Sequence, residues 1–344
     1  MKLIIREDAN SASEYVAQYI IHRINDFEPT PERPFVLGLP TGSSPELIYR
    51  HLVEAYKNDD VSFANVVTFN MDEYVDLPEE HPESYHSFMY KHFFSHVDIK
   101  PANVHLLNGN AEDLVAECAE YERKIKEAGG IELFLGGTGP DGHIAFNEPG
   151  SSLRSRTRVA TLAEDTIRAN SRFFDNDISQ VPKQALSVGV GTVMDAREVI
   201  LIITGAHKAI ALQKVVEGSV SHIWTASCLQ MHENAMIACD DAATDEMQVK
   251  TVKYFRSIEK IEQEQLARTQ LNSEDPRLQQ WRGALKKLEI DTSQKAAAPA
   301  NGEITPDSMT SRLHDSAIAI DDMDKMEDGL KLTNMGSRVN SMAM

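Results

Sequence analysis

Cysteine is scarce in this chain: Cys118, Cys228 and Cys239 are the three among 344 residues. They are odd in number, far apart and form no CxxC pair, which excludes a disulfide framework and a cysteine-ligated zinc site. Buried, reduced thiols of a cytoplasmic protein are the expectation. Long apolar runs are also missing. The N-terminal Leu3-Ile4-Ile5 stretch is cut off by charge, too short for a signal-peptide core. No uninterrupted apolar run approaches the roughly 18 residues of a membrane span, so no membrane association is expected. Positive charge is in deficit, 34 Lys and Arg against 53 Asp and Glu, a net −19. Such an excess repels nucleic acid and anionic lipid, so a phosphate-binding surface has to be local. What remains is ordinary: 42% hydrophobic and 25% charged, which excludes collagen-like and wholly disordered chains.

Through about residue 255 short apolar runs alternate with longer amphipathic ones. Leu3–Ile5, Phe35–Leu39, Val66–Asn70, Val104–Leu107, Ile131–Gly136, Leu186–Val190, Val199–Ile203 and Ala235–Cys239 read as strands. Helical spacing follows Ser11-Ala12-Ser13-Glu14, which has capping-box form, and runs to about Asp26. It recurs after Pro45 to about Tyr56, and over Glu112–Ala128, His207–Glu217 and Thr244–Phe255. Continuous apolar strands separated by amphipathic helices predict a doubly wound α/β domain, a mostly parallel sheet flanked by helices, over residues 1–256. Residues 257–290 are a charged, partly helical extension, in which Leu278, Trp281, Leu285 and Leu288 predict an amphipathic helix over Arg277–Ile290. Residues 291–344 are polar and aperiodic and are expected to be a disordered tail.

Ligands of a parallel sheet bind beyond the carboxyl ends of its strands, so the polar loops there carry the functional information. Pro40-Thr41-Gly42-Ser43-Ser44-Pro45 joins a strand to a helix. Such a Gly-Ser turn offers successive N–H groups to an anion, though it lacks both nucleotide-binding glycine patterns. Asn70-Met71-Asp72-Glu73-Tyr74 puts two acids after a buried strand. A partly desolvated carboxylate in that place suits a carbon-acid base. Gly136 to Gly150 contains five glycines and the ionisable trio Asp141, His143 and Glu148. Carboxylates beside an imidazole raise its pKa and fix its tautomer. A single histidine is too few donors to predict a metal site. Lys208, after Thr204-Gly205, and Arg172, in the polar and lid-like Ala163–Gln184 stretch, supply cations for an anion pocket.

Taken together, Leu37-Gly38-Leu39-Pro40-Thr41-Gly42-Ser43, Phe69-Asn70-Met71-Asp72-Glu73-Tyr74 and Gly139 to Gly150 resemble the glucosamine-6-phosphate deaminases. Ser151-Ser152-Leu153, Ser155 to Arg158, Val188 to Thr192 and Thr204 to Ala209 add to the match, which spans residues 1 to about 255. The resemblance implies a modified Rossmann-like fold and conversion of glucosamine 6-phosphate and water to fructose 6-phosphate and ammonia. It implies that Asp72 moves a proton between C2 and C1. His143 would open the sugar ring with Asp141 and Glu148 as partners, and Gly42, Ser43, Arg172 and Lys208 would bind the substrate phosphate. No metal or organic cofactor is implied. Homohexamers are, as is activation by N-acetylglucosamine 6-phosphate at a second site whose matching residues are Met1, Ser151, Ser152, Arg158, Thr161 and Tyr254. Ala160 departs from that pattern, since activated members carry lysine there, and weakened or absent activation follows as the expectation. A 6-phosphogluconolactonase shares this fold but has no use for a C2 base. A phosphosugar sensor has no use for the acid–base residues.

Overall fold

The computed structural model describes residues 1–271, with side chains through residue 265. The strands are β1 (Lys2–Arg6), β2 (Phe35–Leu39), β3 (Val66–Asn70), β4 (Asp72–Tyr74), β5 (Val104–His105), β6 (Leu133–Gly137), β7 (Arg158–Thr161), β8 (Gln184–Ser187), β9 (Val199–Ile203) and β10 (Ala235–Asp240). The helices are α1 (Ala9–Phe27), α2 (Ser43–Lys57), α3 (Tyr85–His92), α4 (Leu114–Glu127), α5 (Glu164–Asn170), α6 (Val190–Met194), α7 (Ala209–Val216) and α8 (Val249–Leu271).

Seven strands form one sheet in the order β1-β10-β9-β6-β2-β3-β5, and every pair in it is parallel. A strand buried on both faces is apolar throughout, and the alternation of its side chains feeds two cores. In β9, Val199, Leu201 and Ile203 join one core, shared with α4, α6 and α7, while Ile200 and Ile202 join the other, shared with α1, α2 and α3. The chain builds outward from β2 through β3 to β5, then reverses to β6 and continues through β9 to β10. The switch point therefore lies between β2 and β6, where loops diverge and leave a crevice.

The expected doubly wound α/β architecture is thus present, with differences in detail. Leu186–Val190 is not a strand of the parallel sheet. Gln184–Ser187 pairs antiparallel with both β4 and β7 in a separate three-stranded sheet, and Val190 starts α6. A third apolar cluster, including Tyr74, Phe146, Ala160, Phe174 and Ala185, covers that small sheet. Helix α1 is capped by Asp8, whose carboxylate accepts the Ser11 N–H, one turn before the expected Ser11 box. Helix α8 begins at Val249 rather than Thr244 and runs on to Leu271, past the expected boundary at residue 256. The Arg277–Ile290 helix and the 291–344 tail lie outside the described residues.

Candidate active site

Both sides of the switch point carry a candidate loop. After β2 the chain turns through Gly42, whose φ of 111° is a conformation that an L side chain rarely adopts, and no side chain caps α2. Beside it, Lys208 donates from Nζ to Ser44 Oγ at 3.2 Å, and Ser44 Oγ lies 3.5 Å from Thr204 Oγ1. The Thr204-Gly205 turn is held from below. Gly205 N–H donates to the Asp240 carboxylate at 2.9 and 3.0 Å, and Ala243 N–H to the same group at 2.9 Å. Burial and then the charge of Arg172 lower the Lys208 pKa, with Asp240 opposing. Arg172 is exposed, its guanidinium packed 4.6 Å from the Phe173 ring centre, yet near enough for its charge to bear on Lys208. Two cations that repel each other are what an anion would reconcile.

Beyond β3, Asp72 starts β4 and is 7% exposed. Burial, then the charge of Glu73, push its carboxyl up to about 7 against a smaller pull from His143. Past β6, His143 Nδ1 lies 3.0 Å from Asp141 Oδ2 and 2.8 Å from Oδ1, with Glu148 Oε2 at 3.9 Å. The ring N–H can serve one oxygen well, and the alignment favours Oδ2 over the nearer Oδ1. Ionised carboxylates only accept, so Nδ1 carries a proton and Nε2 is the nitrogen left to exchange one. Burial opposes the imidazolium, but the Asp141 bond and the charges of Asp141, Glu148 and Asp72 hold the His143 pKa above its ordinary value. Asp141 responds in the opposite sense. Burial would raise it, and the His143 bond and charge hold it below the ordinary carboxylate range. Glu148 is fixed by accepting the Ala163 N–H at 3.1 Å.

A model of the glucosamine-6-phosphate isomerases/6-phosphogluconolactonases matches residues 7–238. The glucosamine-6-phosphate deaminase of Phocaeicola vulgatus is 64% identical over 260 residues, 76% of this chain and 99% of its own. The chain belongs to this family. The glucosamine-6-phosphate deaminase of Drosophila pseudoobscura is likewise 64% identical, over 75% of this chain and 94% of its own. Among solved structures, a monomeric glucosamine-6-phosphate deaminase is 40% identical with a TM-score of 0.67, covering 71% of this chain and 98% of that one. A 6-phosphogluconolactonase from Trypanosoma cruzi, at 18% identity and a TM-score of 0.57, covers 72% of this chain and 97% of its own and shares the fold alone.

Within this glucosamine-6-phosphate isomerase fold, Asp72, Asp141, His143 and Glu148 come together in one electrostatic cluster, and Gly42, Ser43 and Lys208 line the neighbouring turns. Ser44, Thr204 and Asp240 join the cation side of the crevice without having been singled out. Ser44 and Thr204 stood in motifs already noted, whereas Asp240 ends a strand some 35 residues from the turn it holds. The second-site residues are more scattered in the fold. Arg158 donates to Ser151 Oγ at 3.1 Å and to Asn147 Oδ1 at 2.6 Å. The Ser152 hydroxyl accepts the Arg154 N–H at 3.2 Å, Thr161 ends β7, Met1 packs on the core beside β1, and Tyr254 is exposed on α8. Asp141, His143 and Glu148 also put donor atoms within 4.8 Å of one another, close enough to share a metal ion. Their geometry suits proton traffic better, because the Nδ1 lone pair a metal would need is spent on the proton held by Asp141.

Proposed function

We propose that this chain is a glucosamine-6-phosphate deaminase, converting glucosamine 6-phosphate and water to fructose 6-phosphate and ammonia. One observation carries the reading: a buried carboxyl poised to titrate near neutrality stands within electrostatic reach of a protonatable, carboxylate-flanked imidazole. The Gly42-Ser43 turn, Lys208 and Arg172 hold the phosphate, and its binding energy fixes C1 and C2 against Asp72. His143, with Asp141 and Glu148 keeping it charged, donates to the ring oxygen and opens the pyranose. Asp72 then takes the C2 proton, acidified by the adjacent C1 carbonyl, and returns it to C1. The enolamine becomes a ketose imine, water adds at C2, and ammonia leaves. The net reaction consumes water at a C–N bond, so the enzyme is a hydrolase. General acid–base catalysis supplies about 10²–10⁴-fold per group, and positioning by the phosphate supplies the rest. A 6-phosphogluconolactonase would leave Asp72 idle, and the lactonase structures resemble this chain at less than 20% identity.

The deciding assay is ammonia and fructose 6-phosphate formation from glucosamine 6-phosphate, with C2–H exchange into solvent followed in parallel. Asp72→Asn keeps phosphosugar binding and loses the exchange; exchange at the wild-type rate would remove Asp72 from the mechanism. A cytoplasmic location is supported by three free, buried cysteines, and no described helix is long and apolar enough to cross a membrane. Assembly into a homo-oligomer, hexameric by resemblance, is supported by exposed Ile210, Ile223 and Met231. Light scattering that gives one chain per particle, as in the monomeric relative, would refute it.

A further inference from the structure

Glu73 follows Asp72 directly and is buried even more deeply, at 4% exposure, yet the chemistry above gives it no task. A buried carboxylate is unfavourable unless its oxygens are fully engaged. Here they are. Glu73 Oε1 accepts the N–H groups of Tyr74 at 2.9 Å and Tyr85 at 3.0 Å, and Oε2 accepts that of His86 at 2.8 Å. Tyr85 and His86 open α3, where the Ser84 cap serves the Ser87 N–H at 3.0 Å. The helix therefore offers its remaining first-turn amides, and the favourable end of its dipole, to Glu73. Successive side chains leave a strand on opposite faces, so the same short strand that presents Asp72 on one face is tied down through the other.

We propose that Glu73 is a positioning residue for the deamination: it staples the Asp72 strand to the first turn of α3 and sets a second carboxylate beside Asp72. The inference rests on the deaminase reading. Asp72 senses Glu73 on its own strand and His143 from the loop after β6. The phenols of Tyr49 on α2, Tyr74 on β4, Tyr85 on α3 and Tyr121 on α4 are near enough to feel the Asp72 charge in turn, and being neutral they return none. Of these, Glu73 is the one whose negative charge holds the Asp72 proton on. Its loss makes Asp72 ionise at lower pH and frees the strand that aims it.

The test compares kcat and kcat/KM across pH 5–9 for the full-length wild type, Glu73→Gln and Glu73→Asp. The acid limb of kcat/KM reports the base in the free enzyme. For Glu73→Gln that limb moves down by about one pH unit. Its kcat falls roughly tenfold while KM stays within about threefold. Glu73→Asp keeps the charge but is one methylene too short for all three amides, so its acid limb stays in place while kcat falls. A Glu73→Gln enzyme with wild-type kcat and an unmoved acid limb overturns the inference. Where Glu73→Gln does not fold, Glu73→Asp decides, and wild-type kcat there overturns it equally. Failure of the wild type to release ammonia is a separate result, which refutes the deaminase reading itself.

Discussion

Asp72 is held in the fold at a thermodynamic cost, and the sign of that cost is testable. Its carboxyl rises from an ordinary 3.8 to about 7 in the native state. Between those values the native protein keeps a proton that the unfolded chain has released, so stability falls as pH rises through the window and levels off above about 7. Asp72→Asn removes the titration. Its unfolding free energy at pH 8 should exceed that of the wild type by roughly 2–4 kcal/mol, and the gap should close near pH 4. Parallel denaturant titrations at the two pH values check this; a gap independent of pH would mean that Asp72 titrates like an exposed acid. The same residue shows what was legible at this scale. Asp72 and the Asp141–His143–Glu148 trio stand out because ionisable side chains directly follow glycine-rich or strand-ending stretches. Glu73 was visible as a second acid but not as a staple, since two of its three donors belong to a helix twelve and thirteen residues further on. A sequence marks the acceptor and does not say which amides the fold brings to it.

At the scale of elements, the proposed phosphate cradle is made by two turns from distant strands, and its parts should fail in a characteristic way. Lys208→Ala and Arg172→Ala remove charge from the binding site and leave the proton-transfer groups alone. Each should raise KM for glucosamine 6-phosphate about tenfold or more with a smaller loss in kcat, as expected for charge-assisted contacts worth roughly 1.5–3 kcal/mol. Steady-state kinetics decide, and unchanged KM in both variants would place the phosphate elsewhere. The small sheet is as sensitive to crowding. A methyl group on Gly109 would lie 1.9 Å from the Tyr74 carbonyl oxygen, so Gly109→Ala has to push β4 aside. A loss of more than about 3 kcal/mol in stability follows, read as a fall in the thermal midpoint. The seven-stranded sheet was legible because strands buried on both faces are unbroken apolar runs, as Val199–Ile203 is. The three-stranded sheet was not. A strand of three residues, Asp72–Tyr74, leaves no periodicity, and Ala185-Leu186-Ser187-Val188 reads the same whether its partner runs parallel or antiparallel.

For the molecule as a whole, two features stand outside the proposed proton-transfer chemistry. Helix α8 is tied to the sheet edge at β1 through Arg6, which meets Glu259 with two nitrogens at 2.7 and 3.2 Å and stacks 4.4 Å over Tyr15. Both partners are largely shielded from water, at 23% and 14% exposure. Arg6→Ala therefore strands a carboxylate and should lower stability by about 1–3 kcal/mol, measurable by denaturation at pH 7. The second feature is the surroundings of Arg158. Its guanidinium is already engaged by Asn147 and Ser151, and burial lowers its pKa. Two residues on, Ala160 is 5% exposed in the apolar cluster with Tyr74, Phe146 and Phe174. At the proposed second site an activator phosphate would meet the Arg158 guanidinium, whose hydrogen-bond partners are neutral, and an alanine at the position where the resemblance expects lysine. Saturating N-acetylglucosamine 6-phosphate should accordingly shift KM for the substrate less than about twofold, whereas Ala160→Lys should bind the effector roughly tenfold or more tightly than wild type. The lysine stem has to pass the aromatic cluster with its charge outside, which long side chains achieve by laying their methylenes on apolar surface. Substrate saturation curves with and without the effector compare the two proteins directly, and wild-type activation equal to that of Ala160→Lys would show that Arg158 suffices alone.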